Sequence, residues 1–132
     1  YKLYNLPSIP TVVTNSYEEA LQMIDDAKYP FISKTTIGAS SSGVELIKSK
    51  REAKRLVRRI FSKKGRRTYH PYLNQKNYLY KQEFIDDASY DLRIILVGNR
   101  AFGYYRYPHK GDFRASGSGI YEKRRYRLKR CN

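Results

Sequence analysis

The stretch YPFISKTTIGASSSGVELIKS, residues 29–49, decides how this chain is interpreted. A short apolar run ends in Lys34, a loop of Gly, Ser and Thr follows, and a second apolar run begins at Val44. Closely spaced N–H groups and the backbone freedom of Gly38 and Gly43 would let such a loop surround an anionic oxygen. The ammonium group of Lys34 would reach the same anion. Taken alone, however, the loop is more typical of a flexible polar hairpin with Lys34 on a solvated edge.

The two glycines stand five residues apart, as they do in a nucleoside-triphosphate P-loop, but the rest of that motif is missing. Val44 and Glu45 occupy the positions where a P-loop has Lys and Ser or Thr. A P-loop also leads from a strand into a helix, whereas this loop leads from one apolar run to another. The sequence therefore excludes a P-loop and leaves two interpretations open, a different phosphate-binding loop or a plain turn.

The charge of the chain is concentrated in two runs. The 132 residues include 27 Lys and Arg against 12 Asp and Glu, a formal net charge of +15. Residues 51–67 and 123–130 hold fifteen of the basic residues and one of the acids, so the remainder is almost neutral. Such runs favour a nucleic-acid or anionic-polymer binding module, with the 14 tyrosines as stacking surfaces, or docking onto an acidic protein. The opposing interpretation is the solvated face of a helix.

Other features of the composition exclude some classes of protein. No apolar run approaches the roughly 18 residues that a transmembrane helix needs, so no membrane partner is expected. The lone Cys131 excludes an internal disulfide and fits a reducing, cytoplasmic compartment. His70 and His109 have no metal-ligand neighbours in the sequence and receive no role.

The periodicity predicts an α+β fold with antiparallel strands. Two Ser-x-x-Glu capping boxes predict helices over residues 16–28 and 50–62, the second with an outer face of Lys and Arg. Short strands are expected on both sides of the glycine-rich loop and in YLYKQEFI (78–85). LRIILVGNRAFGYYRY (92–107) is typical of a hairpin, because Gly98-Asn99 is a favoured two-residue turn. Residues 63–77 and 108–119 are predicted to be loops.

The second polar loop, PHKGDFRASGSG (108–119), changes the interpretation of the first. Asp91, Arg93, Asp112 and Arg114 are residues of opposite charge that bracket the predicted hairpin. As exposed ion pairs they would contribute roughly 0–1 kcal/mol each. Exposed pairs alone do not account for two Gly/Ser loops, each beside a cation, in one small chain.

In this order the motifs resemble the ATP-grasp superfamily, most closely the branch with ribosomal-protein glutamate ligases and glutathione-synthetase-like enzymes. The similarity covers residues 7–122. It rests on five segments, LPSIPTVV, YPFISKTTIGASSSGVELI, YLYKQEFI, YDLRIILVGNRAFGYYR and KGDFRASGSG. The common order of the five segments gives the resemblance its specificity.

The resemblance implies an ATP-grasp fold in which ATP lies between two α+β lobes. A small N-terminal lobe would occupy residues 1–82, the start of an incomplete C-terminal lobe residues 83–122, and a basic tail residues 123–132. By matching position, Lys34 would bind the α and β phosphates, and the loop 35–43 would close over the phosphate chain. The loop residues expected to bind phosphate are Gly38, Ser40, Ser41, Ser42 and Gly43.

The resemblance also assigns the hinge strand and the second loop. Glu83 and Phe84 would lie beside adenine, with Glu83 accepting from its exocyclic amine. Alternation along the strand puts Lys81 on the side of Glu83, and we expect that side to form a wall of the cleft. The remaining expected ligand-binding residues are Asp91 near the ribose, and Arg114, as the catalytic residue, with Ser116 near the transferred phosphate or the acyl acceptor.

In this family a carboxylate attacks the γ-phosphate of ATP, and an amine or thiol captures the resulting acyl phosphate. Cations and Mg²⁺ neutralise the charge, and the family draws its metal ligands from an Asp and a Glu-x-Asn motif further along. After Glu122 this sequence has no acid, and it opens on Tyr1 rather than Met. We therefore expect a partial domain that is not a complete ligase by itself, with unassigned carboxylate and amine substrates and a tendency to form homo-oligomers.

Overall fold

A computed structural model describes residues 7–39 and 41–122, together with the backbone of residues 126 and 127. The chain divides into two compact units, Tyr1–Phe84 and Ile85–Asn132. The predicted fold class is confirmed, because both units are built on antiparallel strands and the first adds two helices. Neither helix of the described residues has the length and apolar character that crossing a membrane requires.

The first unit is a four-stranded antiparallel sheet covered on one face by two helices. Its elements, in chain order, are β1 (Thr11–Thr14), α1 (Tyr17–Asp25), β2 (Phe31–Lys34), β3 (Val44–Ile47), α2 (Lys50–Ile60), β4 (Arg66–Arg67), β5 (Asn74–Gln75) and β6 (Leu79–Glu83). The sheet order is β1-β6-β2-β3. The strand next to the hinge, β6, therefore lies at the centre of the sheet, between β1 and β2.

Both helices begin where the capping boxes predict. Ser16 accepts a hydrogen bond from the N–H of Glu19 at 3.2 Å, and Ser49 accepts one from the N–H of Glu52 at 3.3 Å. Each bond satisfies one of the N–H groups that a helix start leaves without a partner. The second helix ends at Ile60, two residues before the predicted boundary, because Phe61 has left helical geometry and serves as the C-cap.

The core of the first unit lies between the helices and one face of the sheet. Burying a side chain such as Leu or Ile stabilises a fold by about 1.5–3 kcal/mol, so the apolar stripe of each helix holds it against the sheet. The core residues are Ala20, Ile24, Phe31, Ile47, Ala53, Leu56, Val57, Ile60 and Leu79.

The region predicted as a loop at 63–77 contains a short hairpin instead. Its strands β4 and β5 pair antiparallel, with Arg66 opposite Gln75. Two-residue strands leave no period-two pattern in a sequence, which is why the hairpin was not predicted. Gly65 precedes it with a φ of +72°, and a side chain there would lie 2.6 Å from the Gln75 carbonyl oxygen.

The second unit is built on the predicted hairpin. Strands β7 (Asp91–Val97) and β8 (Arg100–Arg106) pair antiparallel around Gly98-Asn99, and β9 (Tyr126–Arg127) adds to β8. The register places Val97 opposite Arg100, which confirms the two-residue turn. The rest of the basic tail, residues 123–125 and 128–132, lies outside the described residues.

Candidate functional site

Lys34 is the last residue of β2 and projects from the sheet face opposite the helices. Its Nζ donates to Oε1 of Gln82 at 2.7 Å and lies 5.6 Å from the ring centroid of Tyr80. Gln82 in turn donates to the hydroxyl of Thr11 at 2.9 Å. Among the described residues, no carboxylate lies within ion-pair distance of Lys34. The ammonium group is thus held by neutral partners, which leaves its charge uncompensated.

The glycine-rich loop that follows Lys34 is folded on itself. Its two ends meet where the N–H of Thr35 donates to the carbonyl of Gly43 at 3.0 Å. Within the loop, the N–H of Ala39 donates to the Ser42 hydroxyl at 2.8 Å, and the N–H of Ser42 donates to the Ala39 carbonyl at 2.8 Å. Ser41 has a φ of +64°, which few residues other than glycine adopt. In this conformation several of the loop's own N–H groups are already hydrogen-bonded. Ser40 lies outside the described residues.

Two glycines in the loop are required by close contacts. A Cβ on Gly43 would lie 2.0 Å from the Thr35 hydroxyl oxygen, and the backbone φ there is +76°. A Cβ on Gly38 would lie 2.4 Å from the carbonyl oxygen of Ser42. Both distances are far below van der Waals contact, so a side chain at either position would force the loop to change shape.

A buried arginine ties the end of the loop to the β4–β5 hairpin. The side chain of Arg66 donates to the hydroxyl of Ser33 at 3.0 Å and to the carbonyl of Gly43 at 3.1 Å, and it lies 3.3 Å from the carboxylate of Glu45. Arg66 is 1% exposed, and its Nε has no hydrogen-bond partner among the described residues. Burial lowers the pKa of the Arg66 guanidinium, and Glu45 acts in the opposite direction. Because Arg66 stands among the exposed cations of residues 51–67, its neighbours in the sequence give no sign that it is buried.

The start of the loop is fastened by the same hairpin. The side-chain oxygen of Gln75 accepts from the N–H of Thr36 at 2.6 Å and from its hydroxyl at 3.0 Å. The amide nitrogen of Gln75 donates to the Tyr78 carbonyl at 2.9 Å. Beside these contacts lies an open pocket of about 690 Å³, lined by Asn15, Thr36, Ile37, Thr68, Leu73, Asn74, Gln75, Lys76, Asn77 and Tyr78.

The hinge strand does not present Lys81 and Glu83 on the face that carries Lys34. Lys81 pairs with Ser33 and donates to the carbonyl of Met23 in α1 at 3.3 Å, so it points towards the helices. The alternation predicted from sequence holds, but the fully buried Leu79 fixes that side as the helix-covered one. The structure therefore brings Tyr80 and Gln82, rather than Lys81, next to Lys34.

The hinge pair lies at the end of the first unit. Glu83 is exposed, pairs with Phe31 across the sheet, and donates its N–H to the carbonyl of Pro10 at 3.0 Å. Phe84 is half-buried. The backbone of Glu83 is thus fixed by the sheet while its carboxylate remains in solvent.

In the second unit, Arg106 brings together two of the predicted residues. Its guanidinium binds the carboxylate of Asp91 through two hydrogen bonds, at 2.5 and 2.8 Å, and donates to the hydroxyl of Ser116 at 3.3 Å. The hydrogen bond to Asp91 raises the pKa of Arg106. Arg106 was not predicted from the sequence, although the Gly98-Asn99 turn sets it directly across from Asp91.

Arg114 is held by its neighbour Asp112. The guanidinium donates to both carboxylate oxygens, with Nη2 at 2.8 Å from Oδ2, and the backbone N–H of Arg114 donates to Oδ1 at 2.9 Å. These bonds lower the pKa of Asp112 to about 2. The charge of Arg114 is therefore largely neutralised within the loop.

The acidic side chains of the described residues do not fit a magnesium site. No group of three or more His, Cys, Asp or Glu side chains comes together in the described part of the chain. Magnesium at nucleotide sites is bound by one or two carboxylates together with phosphate oxygens and water. Because Asp91 and Asp112 are each paired with an arginine, we assign the ion no ligand here.

Comparison with known proteins decides the family. The model of the RimK-like ATP-grasp domain matches residues 5–121, nearly the whole chain. This chain belongs to the RimK-like ATP-grasp family. The resemblance seen in the five sequence segments is thus confirmed.

Among solved structures, the RimK-like domain is similar to a crystal structure of D-alanine-D-alanine ligase from Helicobacter pylori. The two chains are 19% identical, with a TM-score of 0.49, over 98% of this chain and 38% of the ligase. The RimK-like domain therefore spans well under half the length of that enzyme. No curated protein sequence matches it.

Proposed function

We propose that this RimK-like domain binds ATP and is part of a ligase that joins a carboxylate to an amine or thiol through an acyl phosphate. Lys34 would bind the α and β phosphates, and the loop at 35–43 would close over the phosphate chain. The proposal rests above all on one observation, the uncompensated ammonium of Lys34 at the base of the glycine loop.

The contacts of Lys34 support this role. Gln82 and Tyr80 hold its Nζ on the sheet face opposite the helices without neutralising it. A phosphate oxygen would form a charge-assisted hydrogen bond with this group, which is about twice as strong as a neutral one. The neutral partner Gln82 costs little to displace, whereas a carboxylate partner would compete with the nucleotide.

The anchoring of the loop supports its role as a lid. Arg66 and Gln75 fasten its two ends, while the segment between them is held by its own backbone and hydroxyl groups. Phosphate oxygens would replace the internal acceptors of the loop N–H groups. The two anchored ends of the loop would stay in place. The residues proposed to take part are Gly38, Ser40, Ser41, Ser42 and Gly43.

The second unit would supply the remaining roles. Asp91, oriented by Arg106, would accept from the ribose, and Ser116 would lie near the transferred phosphate. Arg114 would stabilise charge on the phosphoryl group once the nucleotide competes with Asp112 for its guanidinium. Glu83 and Phe84 would lie beside adenine, and Lys81 would act indirectly by holding β6 against α1.

The reaction would proceed in two steps. A carboxylate oxygen bonds to the γ-phosphorus as the bond to ADP breaks; the amine nitrogen then attacks the acyl carbon, inorganic phosphate leaves, and the amine gives up a proton to the phosphate or to solvent. Because the described residues form no magnesium site, we propose that this chain binds nucleotide without completing the reaction by itself.

Calorimetric titration with ATP and Mg²⁺ tests the proposal. Lys34→Ala should weaken binding at least about tenfold, since a charge-assisted hydrogen bond contributes about 1.5–3 kcal/mol. Lys28→Ala removes the same charge from an exposed site on the same unit and should leave the affinity unchanged. Equal affinities of wild type and Lys34→Ala, with unchanged circular dichroism, would refute the assignment.

A further inference from the structure

The exposed side of α2 and the turn after it carry a continuous set of cations, here called the basic ridge. It consists of nine exposed residues, Lys50, Arg51, Lys54, Arg55, Arg58, Arg59, Lys63, Lys64 and Arg67. Among the described residues, one ridge ion pair is formed, between Lys50 and Asp25 of α1 at 3.0 Å. The nucleotide-binding role proposed above leaves this surface unexplained.

Along α2, the cations of the ridge are spaced so that they repel one another, and almost no acids stand between them to offset the repulsion. Arg51 and Arg55, and likewise Lys54 and Arg58, stand four residues apart, a spacing at which like charges destabilise a helix. The one acid within α2, Glu52, is engaged by the N–H of Lys48 at 2.8 Å. An anion bound along the ridge would relieve this repulsion.

Part of the ridge forms a concave surface. A shallow groove of about 440 Å³ is lined by five residues, all of them basic: Lys50, Arg51, Lys54, Arg55 and Arg58. Cations that converge on a groove present their donors to a single anionic chain, which scattered surface lysines do not. The ridge therefore provides a binding surface for an extended polyanion.

Two exposed tyrosines follow the ridge in the β4–β5 loop. Tyr69 is 67% exposed and Tyr72 is 89% exposed. The hairpin that carries them is fixed to the end of the ridge, because the side chain of Asn74 donates to the carbonyl of Lys64 at 2.9 Å. Exposed aromatic rings at the end of a basic surface are a combination that binds unpaired bases by stacking.

We propose that the basic ridge and the two tyrosines bind single-stranded nucleic acid without sequence preference. The ridge would contact phosphates, and Tyr69 and Tyr72 would stack on bases. Phosphate contacts carry no sequence information, and an aromatic ring can stack on any base, so no strong sequence preference is expected. An acidic polypeptide would use the cations but would leave the tyrosines without a role, and a duplex keeps its bases out of their reach.

Fluorescence anisotropy of a labelled thymidine oligonucleotide of about 20 nucleotides, titrated with the whole chain at several salt concentrations, tests this proposal. We expect the slope of log K against log salt to be about −0.7 for each phosphate contacted. A duplex of equal length should bind several-fold more weakly, and a polyglutamate peptide should compete only weakly. Absence of binding at low salt, or equal binding of polyglutamate, would overturn the proposal.

Matched variants separate the ridge from net charge. Arg55→Gln/Arg58→Gln should raise Kd about tenfold and reduce the slope by about 1.4, whereas Lys28→Gln/Arg100→Gln, with the same net charge, should change Kd less than about twofold. Tyr69→Ala/Tyr72→Ala should raise Kd at least about thirtyfold with an unchanged slope. Equal effects of the two charge variants would overturn the assignment. Lys34→Ala should leave oligonucleotide binding intact, so this test is independent of nucleotide binding.

Discussion

Arg66 donates a hydrogen bond to the carbonyl oxygen of Gly43 at 3.1 Å, and this contact joins the β4–β5 hairpin to the last residue of the glycine loop. Replacing a buried, hydrogen-bonded arginine leaves its partners without donors. We expect Arg66→Met to lower the free energy of unfolding by about 2–4 kcal/mol in denaturant titrations followed by circular dichroism. The exposed neighbour Arg67 provides the control, and Arg67→Met should change the stability by less than about 0.5 kcal/mol. Equal effects of the two substitutions would contradict the anchoring role.

Gly43→Ala should destabilise the loop by a clash that a second substitution relieves. The new Cβ would lie 2.0 Å from the Thr35 hydroxyl oxygen, at a backbone φ of +76°. We expect a loss of at least about 2 kcal/mol, of which about 1 kcal/mol comes from the left-handed backbone and stays in every background. In a Thr35→Ala background the cost should fall by about 1 kcal/mol or more. A double-mutant cycle with no coupling would show that the loop avoids the contact by rearranging.

Asp112 should titrate at unusually low pH. Hydrogen bonds from Arg114 lower the pKa of its carboxyl group to about 2. A depressed folded-state pKa gives stability that is present above the unfolded value of about 3.9 and is lost as the pH falls towards 2. Carboxyl-carbon NMR should give a midpoint near 2 in the wild type, and in Arg114→Gln a midpoint shifted towards the ordinary range. An ordinary midpoint in the wild type would refute the ion pair.

The bidentate contact between Asp91 and Arg106 should appear as a coupling energy. Because 39% of the Asp91 side chain is exposed, solvent weakens the pair, and we expect about 1 kcal/mol in a cycle of Asp91→Asn and Arg106→Gln. Arg106→Lys keeps the charge but cannot form two parallel hydrogen bonds to the carboxylate, so it should lose most of the coupling energy. If Arg106→Lys keeps the full coupling energy, charge alone accounts for it and the two-hydrogen-bond geometry contributes nothing.

Much of the fold could be predicted because its signals are local. The caps at Ser16 and Ser49 and the turn at Gly98-Asn99 are determined by a few adjacent residues, and all three are present in the structure. The glycine loop was recognisable for the same reason. From the hairpin turn, even the pairing of Asp91 with Arg106 could have been derived by counting residues.

What could not be predicted depends on contacts between distant parts of the chain. Arg66 lies in a run of exposed cations, and nothing in its neighbours shows that Ser33 and Gly43 will surround it. Alternation along β6 correctly separates Lys81 from Gln82 but does not show which side the helices cover. That choice follows from Leu79, whose burial depends on the packing of α1 and α2.

The assignment of Lys34 and the glycine loop as the phosphate-binding elements is tested most directly by mapping ATP on the chain. Amide NMR spectra recorded during titration with ATP and Mg²⁺ should show the largest shifts at Lys34, Gly38 and Gly43, and these shifts should disappear in Lys34→Ala. Shifts confined to α2 would contradict the account, because they would mean that ATP binds the basic ridge merely as an anion.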